Sequence, residues 1–404
     1  PSWLVRHEAI GTWDATPIND RIRPFPLSLP DGRILVVAEY RNTGASPTVR
    51  AVAFNIRSAA GVWGSWVVLR QEEDVASIYA LSPTLVLVPG RDGQPDRVQC
   101  YHFSYVDLTG NNDPDTVSVR MYEAPVTADF DALADWTLAS ENGWLNPLSS
   151  SAYASITEIR RLRVAYNGSQ HLMIWDYSTS SATVVTQWAS NDGGFTFSQV
   201  DTDVAAFDKL PDIAVSAGLF IVCGLHISGS DYIIKAYRVP DAFETIDNST
   251  AITVDTYTAV DSLAICADEA GILYVHTGET SDSNNCQLFR SVDYGASYEG
   301  LGSPSGNEGQ AWWDGGVNAH PTEVASTWHR GRVVITCNHA GGTSPDYRDG
   351  ASALYLGGYS SLTLPMRETW PSPVRQFYFE NTWAGFANLG ELLTTTSVNG
   401  TQTM

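Results

Sequence analysis

One short element recurs along this chain and limits what it can become. It is a turn rich in Gly, Asp or Asn, followed at once by an apolar run of strand length. Asp31-Gly32-Arg33 leads into Ile34 to Ala38, and Asn167-Gly168-Ser169-Gln170 leads into His171 to Trp175. Ala217-Gly218 leads into Leu219 to Cys223, Glu269-Ala270-Gly271 into Ile272 to Val275, and Arg330-Gly331-Arg332 into Val333 to Thr336. A looser copy runs from Leu81 to Pro89, with the strand ahead of its turn. Glycines 168, 218, 271 and 331 are spaced by 50, 53 and 60 residues. A repeat of about 40–50 residues marks four-stranded units that cannot bury both faces alone and must close on one another.

The rest of the pattern agrees. Short runs of Val, Ile, Leu, Tyr and Trp alternate with Gly, Asn, Asp and Pro, whereas helical periodicity is scarce and best in Asp129 to Leu138. The expected fold is all-β: a six-bladed β-propeller over residues 14–365, with a lead at 1–13 and a C-terminal arm or further module at 366–404. A pair of β-sandwiches would explain the strand density but not the regular copies.

Composition narrows the function. The 404 residues carry 45 acidic and 23 basic side chains, a net charge of -22, with 43% hydrophobic, 11% aromatic and 17% charged residues. Intrinsic disorder is excluded. The apolar runs are strand-sized, far short of the ~20 residues of a membrane-spanning helix. A negative surface opposes nucleic-acid binding and docking on an anionic membrane. Lysine occurs only at Lys209 and Lys235. Cysteines 100, 223, 266, 286 and 337 form no Cys-x-x-Cys and mostly lie in apolar runs, so buried free thiols are expected. No cofactor motif is present. The start Pro1-Ser2-Trp3 shows no basic or apolar leader and suggests a processed chain or a piece of a longer one.

A second motif, Ser-x-Asp-x-Gly-x-[Ser/Thr]-aromatic, occurs twice. It runs through Ser190, Asp192, Gly194, Thr196 and Phe197, and again through Ser291, Asp293, Gly295, Ser297 and Tyr298. The Asp can accept backbone N–H bonds in a tight loop while Gly supplies positive φ, so the expected role is structural. Degenerate copies stand at Ser58 to Trp63 and Ser140 to Trp144.

These motifs resemble the Asp boxes of the sialidase superfamily and related BNR-repeat propellers. Arg21-Ile22-Arg23-Pro24, Pro30-Asp31-Gly32 and Ala38-Glu39-Tyr40-Arg41 are similar to that family's first repeat. The resemblance implies a site at one mouth of the channel. There Arg21 or Arg23 would grip an acidic ligand, Glu39 would hold that arginine, Arg41 would support it, and Tyr359 would stand near the family's nucleophilic Tyr. The loop Asn42 to Thr48 holds no carboxylate where the family keeps an acid/base Asp, and Leu210 to His226 offers neither the Glu nor the Arg of the fourth repeat. No catalytic residue is therefore assigned.

Other polar and aromatic groups have ordinary roles beside any functional one. Asp14, Asp20, Asp212, Asp261 and Glu323 lie near presumed inner-strand starts, where solvated acids are common. His226, His276 and His339 follow repeated strands but lack metal-ligand spacing, so no metal is expected. Trp328-His329 precedes the last turn. Trp312-Trp313, in a Gly-rich connection, is the best candidate for stacking on a sugar ring.

The expected function is recognition of a glycan or cell-surface receptor, or assembly with other virion or surface subunits such as those of a phage tail, in an extracellular or virion-associated setting. A glycoside hydrolase with a rearranged site is the competing reading, and a structural propeller acting through its arm is the third.

Overall fold

A computed structural model describes residues 4–12, 23–42, 49–73, 81–90, 93–106, 116–142, 156–179, 182–257, 260, 262–278, 286–302, 320–340 and 350–357. Their strands form six four-stranded antiparallel sheets. The first strand is β1 (Leu4–Thr12). Sheet 1 contains β2 (Phe25–Ser28), β3 (Ile34–Asn42), β4 (Val49–Arg57) and β5 (Val67–Glu73). Sheet 2 contains β6 (Thr84–Val88), β7 (Arg97–Val106), β8 (Thr116–Pro125) and β9 (Thr137–Asn142). Sheet 3 contains β10 (Ile156–Tyr166), β11 (His171–Thr179), β12 (Thr183–Ser190) and β13 (Ser198–Asp201). Sheet 4 contains β14 (Lys209–Ser216), β15 (Leu219–Ser228), β16 (Asp231–Val239) and β17 (Ile252–Tyr257). Sheet 5 contains β18 (Ser262–Ala267), β19 (Leu273–Gly278), β20 (Cys286–Ser291) and β21 (Glu299–Gly302). Sheet 6 contains β22 (His320–His329), β23 (Arg332–Ala340) and β24 (Gly350–Gly357), with β1 as its outer strand.

The leading strand of each sheet touches its counterparts on either side: β2 meets β6, β6 meets β10, β10 meets β14, β14 meets β18, β18 meets β22, and β22 returns to β2. The fold is an all-β propeller. Its apolar cores lie between sheets. Leu162 and Val164 of β10 pack toward sheet 2, while Ile174 of β11 packs with Phe220 and Val222 of sheet 4. Alternation along each strand sends successive side chains to opposite faces, so both faces are apolar and both are covered.

Three details differ from the sequence reading. Residues 4–12, assigned to a lead outside the propeller, form β1, which pairs with β24 from Leu4↔Gly357 to Thr12↔Gly350. An outer strand taken from the other end of the chain completes sheet 6 and keeps β24 from being an edge. The Leu81 to Pro89 copy is one strand out of phase: β6 is the inner strand of sheet 2, and the counterpart of the other repeats is β7. The Asp129 to Leu138 segment holds one 3₁₀ turn, Leu133–Asp135, rather than a longer helix. The proposed arm at 366–404 lies outside the described residues.

Both Asp boxes connect the third and fourth strands of their sheets. Asp192 Oδ1 accepts the N–H groups of Phe195 and Thr196, each at 3.0 Å, and Ser190 Oγ accepts the N–H of Gly194 at 3.1 Å. In the second box Asp293 Oδ1 accepts Ser297 N–H at 2.9 Å, and Ser291 Oγ accepts Gly295 N–H at 2.8 Å. Ser58 to Trp63 occupies the same connection in sheet 1, with Gly61 at φ 90°. Ser140 instead lies within β9, so that degenerate copy is not a box.

Each seam also carries a side-chain latch. Arg33 donates to the carbonyls of Val126 and Ala128, Gln99 to Gly193, Asn167 to Gly218, and Ser216 to Gly271. Trp328 Nε1 donates to Glu269, and Arg330 Nη2 to the carbonyl of Asp31. The seal thus continues around the ring.

Candidate functional site

The polar groups at the inner edge of the ring centre on Glu39, which is 1% exposed. Its Oε2 accepts Arg23 Nη1 at 2.9 Å and the N–H groups of Leu81 and Ser82 at 3.0 and 3.1 Å. Arg50 Nη1 lies 3.5 Å from Oε1. The pairing follows from strand alternation. Phe25 pairs with Val37, and two residues further out Arg23 and Glu39 fall on the same level. Ser82 is held at φ 41°, an uncommon value for a residue with a Cβ. Its Oγ accepts the N–H of Leu162 at 2.9 Å, so one carboxylate and one hydroxyl join sheets 1, 2 and 3.

Arg163 lies across the recess from Arg23. Its Nε donates to Asp212 Oδ1 at 3.0 Å, and its guanidinium carbon sits 5.1 Å from the ring centroid of Phe25. Asp212 Oδ2 also accepts Ile265 N–H at 3.0 Å. Arg23, Pro24, Phe25, Ser82, Pro83 and Arg163 line one small recess, and the Arg23 side chain remains 14% exposed. A guanidinium held by a buried carboxylate, on a side chain that still reaches solvent, suits an anionic or hydroxyl-rich ligand.

The acids around this recess are occupied. Glu39 and Asp212 each pair with an arginine. Asp176 is fully buried, and its two oxygens accept the N–H groups of Arg161 and Leu210. Burial pushes its carboxyl above the usual range, against the pull of Arg161, Arg160 and those N–H groups.

The structure brings together Arg23 and Glu39 of the sequence candidates. Arg41 lies in β3 opposite Arg50, with only its backbone described. Arg21, Trp312, Trp313 and Tyr359 lie outside the described residues, as do Asp14, Asp20 and Asp261. Trp328 is no open platform: it stacks on Tyr274 at 5.2 Å and 9° within a seam. His276 is buried, which pushes its pKa down to about 3, and His226 pairs with Asp208 at 3.1 Å. Among the described residues no three His, Cys, Asp or Glu side chains are grouped to hold a metal ion. Cys100, Cys223 and Cys266 are buried free thiols. No helix of the described residues is long and apolar enough to cross a membrane. Sequence reasoning missed Arg161 and Arg163. The signal available was Arg161 and Arg163 alternating with Leu162 and Val164, in an inner strand that also holds Glu158 and Arg160.

Solved structures place this fold. The chain is similar to the NanB sialidase of Streptococcus pneumoniae, with a TM-score of 0.55 and 10% identity over 86% of this chain and 70% of that one. It is similar to Trypanosoma rangeli sialidase, with a TM-score of 0.54 and 10% identity over 93% and 60%. A protein of unknown function from Dyadobacter fermentans matches with a TM-score of 0.54 and 12% identity over 88% and 99%. No family model and no curated protein matches in sequence. The fold is that of the sialidase-like β-propellers.

Proposed function

We propose that this chain is a sialidase-like propeller whose six sheets act as six blades and that it recognises a glycan, without cleaving it, at the recess lined by Arg23 and Arg163. The observation that carries the reading is the brace on Arg23: a buried carboxylate holds one side of a guanidinium whose side chain still reaches solvent. The similar sialidases support a carbohydrate as the ligand class. Glycoside cleavage normally needs one carboxyl to protonate the leaving oxygen and a second group as nucleophile or base. Glu39, Asp176 and Asp212 are each committed to arginine or backbone N–H groups, and Asn42 to Thr48 contains no acid. Trp312 and Trp313 supply the stacking surface in this reading. A net charge of -22 and the absence of a cofactor motif fit an extracellular or virion-associated recognition or assembly subunit, such as one of a phage tail.

A glycan array run beside hydrolysis of fluorogenic sialosides tests it. Saturable binding without turnover is expected, weakened by Arg23→Ala and by the Trp312→Ala, Trp313→Ala double variant. Turnover would replace the recognition reading with a glycosidase. Silence in both assays would leave assembly.

A further inference from the structure

Glu39 and Asp176 occupy the same place in two sheets. Each is the sixth residue of a second strand, β3 from Ile34 and β11 from His171. Each accepts N–H groups where the chain enters the next sheet, at Leu81 and Ser82 for Glu39 and at Leu210 for Asp176. Two of the donating residues, Ser82 and Leu210, have positive φ, 41° and 55°. Each acid also faces an arginine of the inner strand, Arg23 beside Glu39 and Arg161 opposite Asp176 in register.

The two pairs then diverge. Arg23 bonds its acid through the guanidinium, whereas Asp176 bonds only the backbone N–H of Arg161, at 2.9 Å. The Arg161 side chain reaches past sheet 4 instead and donates Nη1 to the carbonyl of Leu263 on β18 at 2.8 Å. It is 1% exposed, and its Nε and Nη2 meet no acceptor among the described residues. These two nitrogens share one edge of the guanidinium, the edge that holds a two-oxygen anion with parallel hydrogen bonds. Ser262, next to Leu263, also buries a hydroxyl that meets no partner among the described residues. A buried cation with an open bidentate edge is costly unless something completes it. Asp176 does not: its two oxygens meet the backbone N–H groups of Arg161 and Leu210, not the guanidinium, and burial drives the carboxyl toward its neutral form.

We infer that the Nε–Nη2 edge of Arg161 is a buried site for a small carboxylate anion, of formate or acetate size, held between sheets 3 and 5. The site is separate from the Arg23 recess and does not depend on the glycan reading.

The test is thermal unfolding of the full chain in sodium formate or acetate against sodium chloride, at equal ionic strength and pH. A specific anion that binds only the folded state should raise Tm by about 2 °C or more, saturably. The response should persist in Arg23→Ala and vanish in Arg161→Gln. If Arg161→Gln does not fold, the unaltered protein crystallised in formate gives the answer, with two oxygens of one ion expected on Nε and Nη2. A response retained in Arg161→Gln, an equal effect of all three salts, or two separate waters on that edge would overturn the site.

Discussion

Arg163 and Asp212 form a buried ion pair, Nε to Oδ1 at 3.0 Å, that ties together inner strands from around the ring. Arg163 belongs to β10 and Asp212 to β14. Beyond the pair, Arg163 lies over Phe25 of β2, shares a recess with Ser82 before β6, and reaches the carbonyl of Val324 on β22 through Nη2 at 3.5 Å. Asp212 continues to the N–H of Ile265 on β18. One pair therefore meets residues at the inner edge of all six sheets. Its energetic value lies in completeness, because removing one partner strands the other as a buried charge.

Asp212→Ala should accordingly cost about 3–5 kcal/mol. Replacing both residues together should cost less than the sum of the two single changes, because no charge is then stranded. Denaturant unfolding of the two single variants and the double variant measures this coupling. Strict additivity would show that the pair does not act as a unit.

Glu39→Gln probes the brace on Arg23. The amide oxygen can still accept the N–H groups of Leu81 and Ser82, but the charge that orients Arg23 is lost. Loss of an orienting partner behind a binding group typically weakens affinity by about 10–100-fold in metal sites, and an effect near the lower end is expected here. Titration with any glycan found on the array reads it, with unfolding measured in parallel. Unchanged affinity with lowered stability would assign Glu39 to the joint between sheets 1 and 2 alone.

How much of this was legible depended on sequence distance. The Asp boxes could be read because each is contiguous and its bonds close within four residues. The β2–β3 register puts Arg23 beside Glu39, a pairing 16 residues apart that the sequence offered only as one of two alternatives, and Arg21 lies outside the described residues. The Arg163–Asp212 pair spans 49 residues and exists only because the ring brings β10 to β14. The sheet 2 repeat was misphased because β6 has the apolar run that elsewhere marks a second strand, while β7 mixes Gln99, His102 and Ser104 with apolar residues. Those three polar side chains are buried, so polarity there signalled packing rather than a loop.

The two boxes share a motif but should not tolerate change equally. A Cβ on Gly194 would lie 2.0 Å from the Tyr101 hydroxyl, which is fixed by its bond to Gln99. On Gly295 the nearest atom would be Ile221 Cδ1 at 3.3 Å. Both glycines have positive φ, 85° and 82°, so Ala carries a strain of roughly 1–2 kcal/mol at either site. Gly194→Ala should therefore unfold at distinctly lower denaturant than Gly295→Ala. Equal midpoints would mean that Tyr101 moves aside freely.

Acid should weaken the boxes, and the sign follows from their carboxylates. Hydrogen bonds from Ser297, with help from Ser291, outweigh burial and hold the Asp293 pKa down to about 2. At Asp192 burial acts upward, but bonds from Thr196, Ser190 and Phe195 overcome it and leave the carboxyl below its usual range. An unfolded Asp titrates near 3.9 on the order of model peptides. A carboxylate whose pKa is lower in the folded state stabilises fully above that value and loses its contribution as pH falls toward about 2. Stability measured from pH 6 to pH 2 should thus fall less steeply in Asp293→Asn than in the unaltered protein, although Asp293→Asn starts lower at neutral pH. Parallel curves would show that the Asp293 carboxylate gains nothing from its hydroxyl and backbone partners.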